Sequence, residues 1–117
     1  MLAAEHARIA RALLARSDRE FADGNTLIGS ELLWGAAAHA ILGIATERGW
    51  HKNSHGAIKA AARMLSGELD NNRLLSDFDS VEKLHANFYH NNLNASETAQ
   101  RRVQAERLIP RLLACVT

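Results

Sequence analysis

The chain has 117 residues, a formal net charge of +1, 47% hydrophobic and 5% aromatic residues, one Pro and one Cys. That length fits one domain, residues 1–117, with a core of its own. The near-neutral charge excludes a global field that would attract nucleic acid, and the lone Cys115 excludes an internal disulfide framework and fits a reducing compartment.

Ala, Leu, Arg and Glu abound while β-branched and aromatic residues are few, which is the composition of a helical protein. No run of 18 apolar residues occurs, and the longest candidate, Leu32 to Ala45, is too short for a bilayer and reads as a buried helix. Glu5, His6 and Arg8 stand where a signal peptide would need an apolar block. The expectation is a soluble, cytoplasmic protein with no membrane contact.

In chain order, the first helix is expected over about Ala3 to Asp23, stopped by Gly24-Asn25, with Ile9, Leu13 and Phe21 near one face. Arg8, Arg11 and Arg19 face outward. The second helix spans about Thr26 to Arg48 and closes at Gly49. Asn53 or Ser54 caps a third, about His55 to Gly67, and Asp70 or Asn71 opens a fourth that ends near Asn91-Asn92. Asn94 with Glu97 forms a capping-box pattern, so a fifth helix runs towards the C-terminus, with a kink expected at Pro110. The fold class is therefore all-α, a bundle of about five helices.

The second helix is apolar nearly all round. Leu27, Trp34, Ala38, Ile41 and Ala45 mark one side, and Gly29, Leu32, Ala36 and Gly43 the other. Such a helix is either central to the bundle or shared between subunits, and a homodimer through the small-residue side stands beside close packing within one chain. His39, on that second side, reads as a packing or surface residue.

Three helices each place a polar group on an apolar face: Glu31 beside Trp34, His55 with Ile58, Ala62 and Leu65, and His85 with Phe78, Val81, Leu84 and Phe88. A buried polar group needs a partner, so Glu31, His55 and His85 are expected to meet in one partly buried cluster walled by Trp34 and Phe88, and by Trp50. Two readings stand: a satisfied polar network that sets helix register, or a ligand-binding or catalytic pocket. His51 and His55 have metal-ligand spacing, but His51 precedes the helix cap, and no Cys pair or His-Glu-x-x-His pattern is present; neither metal nor cofactor is expected. Arg101, Arg102, Arg107 and Arg111 crowd the last helix, either as a solvated face or as an RNA phosphate footprint.

The blocks Glu31-Leu32-Leu33-Trp34-Gly35-Ala36-Ala37-Ala38, Arg48-Gly49-Trp50-His51 with Ser54-His55, and Leu84-His85-Ala86-Asn87-Phe88-Tyr89 resemble the archaeal PaREP family. That family is placed in the HEPN superfamily of small helical bundles. The resemblance implies a HEPN-like fold and a nucleotide or RNA as ligand, with Glu31, Trp34, Trp50, His55, His85, Asn87 and Tyr89 as candidate binding residues. It also implies a homodimer and a nucleotidyltransferase-type partner protein.

Many HEPN proteins are metal-independent RNases whose signature is an Arg followed after four to six residues by a His. Here His85 stands at the Arg position and His90 downstream, with Asn87 between, so the bidentate cation is missing. Binding is therefore favoured over catalysis. The enzymatic alternative is a metal-independent RNase using His85, with His55 or His90 as the second acid–base group; the third is a structural or interaction protein.

Overall fold

The computed structural model describes all 117 residues and contains five helices: α1 (Ala3–Ala22), α2 (Thr26–Arg48), α3 (His55–Glu68), α4 (Asn72–His90) and α5 (Ala95–Leu113). The caps follow from local chemistry. Ser54 Oγ accepts from the Ala57 amide at 3.0 Å and Asn71 Oδ1 from the Leu74 amide at 3.3 Å. At α5, Asn94 Oδ1 accepts from the Glu97 amide at 2.8 Å while the Glu97 carboxylate accepts from the Asn94 amide at 3.0 Å, the reciprocal pair expected of a capping box. Gly49 closes α2 at φ 69°, a left-handed position that costs glycine little. Pro110 falls within the last turn of α5, so the backbone donor it lacks interrupts only the end of the helix.

α2 is the axis of the bundle, packed by α1, α3, α4 and α5. Its buried residues include Leu33, Trp34, Ala37, Ile41 and Ile44 on one flank and Gly29, Ala36, Ala40 and Gly43 on the other. By length and composition α2 could cross a membrane, with mean hydropathy 1.5 over its best window, but 61% of that window is buried inside the fold. Its apolar surface goes into the core with Phe78, Val81, Leu84, Leu108, Ile109 and Leu112.

The small-residue side of α2, expected as a subunit interface, is covered by α1 of the same chain. A Cβ on Gly29 would lie 2.9 Å from the Phe21 ring, and one on Gly43 would lie 3.2 Å from the Ala3 carbonyl and 3.4 Å from the His6 Cβ. The missing side chains let the antiparallel α1–α2 hairpin close, so this face is not open to a second copy.

The same contact holds His6, only 6% exposed, against His39, with Nδ1 to Nδ1 at 3.0 Å. Burial lowers the pKa of both rings. For His6, His39, Lys52 and the N-terminal charge lower it further, against a smaller opposing effect of Glu5.

Candidate functional site

The candidate site lies where α2, α3 and α4 converge. Glu31 and Trp34 are neighbours on α2. His55 and Lys59 are one turn apart on α3, and Glu82, His85 and Tyr89 lie along one side of α4. His85 Nδ1 donates to the Glu31 carboxylate at 2.8 and 3.1 Å. His55 Nε2 donates to Glu82 at 2.6 Å, and Lys59 Nζ lies 3.1 Å from the other Glu82 oxygen. Burial pushes the Glu82 carboxyl up, but hydrogen bonds from His55 and Lys59, with their charges, outweigh it and hold the group below its ordinary value.

Trp34, 7% exposed, is the floor. Its ring stacks on His55 and on His85, each at 5.2 Å between centroids, and the two imidazoles stand 5.9 Å apart. All three rings lie within 26° of parallel. A tilted contact with Phe78 at 5.6 Å ties this stack to the core. Tyr89 sets its edge on His85 at 5.5 Å and is 70% exposed.

Each carboxylate thus fixes one nitrogen of its histidine and the orientation of the ring. His85 Nε2 and His55 Nδ1 are left without a hydrogen bond in the chain. Two such nitrogens can donate to a phosphate, or one can accept a proton while the other donates. The exposed Tyr89 ring adds aromatic surface of the kind on which bases stack, while Trp34 is covered by the two imidazoles and supports them.

The expected cluster of Glu31, His55 and His85 therefore forms, with three differences. It is shallower than the apolar pattern suggests: the His55 side chain is 48% exposed and that of His85 31%. Its α4 wall is Tyr89, not Phe88, whose ring meets Tyr89 at 5.3 Å. Lys59 joins the cluster, sharing Glu82 with His55 because one helical turn brings them together.

Three candidate residues lie elsewhere. Trp50 packs by the C-terminal end of α2, under the Arg48 guanidinium at 5.5 Å, about 21 Å along the helix from Trp34 at 1.5 Å per residue. Asn87 is 2% exposed, and its Oδ1 accepts from the Leu93 amide at 2.8 Å, so it holds the α4–α5 turn. His90 is exposed at the last residue of α4, five positions and about 140° of helical rotation from His85. His51 is exposed outside any helix, and no group of three or more His, Cys, Asp or Glu side chains is placed to hold a metal ion.

Glu82 and Lys59 are the site residues that sequence reading missed. Glu82 precedes His85 by three residues, the spacing that puts both on one helix side; this was the available signal.

The arginine stripe of α5 is largely engaged. Arg107 binds Asp77 at 2.8 and 3.1 Å, and Arg102 pairs with Glu106 at 3.3 Å and lies 4.0 Å over the Phe21 ring. Arg101 donates to Ser80 Oγ at 3.0 Å. Neither Arg101 nor Arg111 is in an ion pair, and Arg111 is exposed with no side-chain hydrogen bond.

Against known proteins, residues 5–109 match the model of the Archaeal PaREP1/PaREP8 family, the span that contains all five helices except the end of α5 and the first residues of α1. The chain belongs to the PaREP1/PaREP8 family. No curated protein and no solved structure matches. Within this family member, every residue of the Trp34 cluster lies inside the matched span, as do Asp77 and Arg107.

Proposed function

We propose that this PaREP1/PaREP8 chain is a nucleotide- or RNA-associated binding module that acts without catalysis, its ligand seated on His55, His85 and Tyr89 above the Trp34 floor. The observation that carries this reading is the convergence of two carboxylate-oriented imidazoles on one tryptophan, each with an unengaged nitrogen. Imidazole and Lys59 are donors of the sort phosphate oxygens take, and the exposed Tyr89 ring offers a stacking face. The HEPN likeness of the sequence blocks points to the same ligand class. It also supports a homodimer and a nucleotidyltransferase-type partner, both readable from the mass of the complex recovered on co-expression.

The test is titration with AMP, ATP and a short single-stranded RNA, read by Trp34 emission in a Trp50→Phe background. Saturable binding that His85→Ala and Lys59→Gln weaken supports the reading. Absence of saturation up to millimolar ligand overturns it.

One observation favours a second reading, a metal-independent RNase with His55 and His85 as the acid–base pair: their rings are 5.9 Å apart, close enough to address one phosphodiester. His90 is not part of that pair: it lies five positions and about 140° of helical rotation from His85 on α4. RNA cleavage in excess chelator, lost in both His55→Ala and His85→Ala, would replace the non-catalytic reading with this one.

A further inference from the structure

On the opposite side of α4 from the Trp34 cluster, α4 and α5 enclose a groove of about 410 Å³ with no hydrophobic residue in its lining. That volume falls in the range of small-molecule sites. From α4 come Asp79, Ser80 and Lys83, and from α5 Gln100, Arg101 and Gln104. Asp79, Lys83 and Gln100 are exposed along the rim, Arg101 and Gln104 are half-buried, and Ser80 is buried at the base.

The charges in the groove are unspent. Lys83, Asp79 and Arg101 take part in none of the ion pairs of the chain. Arg101 uses one nitrogen, Nη1, which donates to the Ser80 carbonyl at 3.3 Å and to Ser80 Oγ at 3.0 Å. Its Nε is buried and has no partner. Ser80 Oγ in turn donates to Gln104, which locks the hydroxyl and holds the guanidinium in the groove. The accessible donors are Arg101 Nη2 and Lys83 Nζ, neither of which has a hydrogen bond or ion pair within the chain, and free donors on two neighbouring cations are what an incoming anion engages.

We infer that the α4–α5 groove binds a phosphorylated sugar, its phosphate between Arg101 and Lys83 and its hydroxyls on Asp79 and Gln104. Two cations suit a phosphate monoester, which carries a charge of about −1.5 to −2 at neutral pH. Lys83 lies about 4.5 Å further along α4 than Ser80, on the same stripe, so it flanks the Arg101 position. Asp79 lies at the Gln104 end of the antiparallel pair, and a carboxylate there accepts from sugar hydroxyls as acidic residues do in nucleotide folds. Glu97 also lines the groove and commits one carboxylate oxygen to the capping box; with Asp79 it balances the two cations, so the groove is formally neutral before a ligand enters. The site is independent of the Trp34 cluster, since the two lie on opposite faces of α4.

The experiment titrates the full chain with ribose 5-phosphate, inorganic phosphate and ribose, following backbone amide resonances. Ribose 5-phosphate should saturate at least tenfold more tightly than phosphate or ribose, moving Ser80, Arg101 and Gln104 and leaving Trp34 and His85 in place. Lys83→Gln, an exposed change that keeps the fold, should weaken both phosphate-bearing probes tenfold or more. Asp79→Asn should weaken ribose 5-phosphate and leave inorganic phosphate unchanged. Equal affinity for phosphate and ribose 5-phosphate, insensitivity to Lys83→Gln, or shifts confined to the Trp34 cluster would each overturn the inference.

Discussion

Arg107 on α5 grips Asp77 on α4 through two hydrogen bonds of 2.8 and 3.1 Å, and the Asp77 side chain is 4% exposed. The arginine that reads from sequence as part of a phosphate stripe is instead the counter-charge of a buried carboxylate. Replacing it with Met should lower the melting temperature by on the order of 10 °C, because Asp77 would be left buried and unpaired. The double change Arg107→Met with Asp77→Leu should recover most of that loss. Thermal unfolding of the two variants checks it; a double variant as unstable as the single one would show that the pair is not the cause.

His6 and His39 give the protein an acid-sensitive α1–α2 contact. Both folded pKa values lie below the ordinary 6.5, chiefly through burial, so the unfolded chain binds more protons in the interval between them. The contribution of the pair is fully present above about pH 6.5 and declines as pH falls through that interval towards the lowered folded values. Groups facing the pair include Lys52 and the N-terminal amine, which reinforce the shift of His6, and Glu5, which opposes it. A denaturation series from pH 7.5 to 5 should show stability falling with acid, and His6→Leu combined with His39→Leu should flatten the slope. A wild-type curve flat below pH 6.5 would refute this.

His85→Phe separates a binding cluster from one that only sets helix register. Phenylalanine keeps the stack on Trp34 and removes the bond to Glu31. With Glu31 changed to Gln alongside, no charge is left without its partner. The expected outcome is a melting temperature within about 4 °C of the parent, a shift of the size that about 1 kcal/mol produces in a domain near this length, together with at least tenfold weaker nucleotide or RNA binding. Unchanged binding in the folded variant would assign the cluster to register alone.

Bulky changes on the small-residue side of α2 should destabilise the chain itself. Gly29→Val places a methyl-bearing carbon against Phe21, and overpacking of that kind costs about 1–3 kcal/mol. Ala36→Glu puts a charge at a position with no exposure, and should prevent folding. Chemical denaturation with sedimentation in parallel distinguishes the alternatives. Loss of stability at every protein concentration is expected, whereas a fully stable variant altered only in mass would point to a subunit interface on this face.

Much of the architecture is written locally. Five helices follow from turn signals and a 3.6-residue apolar period, and Ser54, Asn71 and Asn94 each cap with an atom that reaches a backbone amide three residues away. The all-round apolarity of α2 identifies the central helix for the same reason. Most of the site was legible too, since Glu31, His55 and His85 each sit on an apolar face and needed partners.

Which partner each group found is a different kind of information. Glu31 and His85 are 54 residues apart, His55 and Glu82 27, and His6 and His39 33. Helical periodicity fixes the direction of a side chain on its own helix and says nothing of which helix will lie opposite. So the sequence by itself determined the five helices, their ends and the polar groups that required satisfaction. Only the packing of α1 onto Gly29 and Gly43, and of α3 and α4 onto Trp34, decided that a small-residue stripe closes a hairpin, that Glu82 and Lys59 join the site, and that Trp50 and Asn87 stay out of it. Those outcomes rest on contacts between distant segments, whose free energies depend on the whole assembled core.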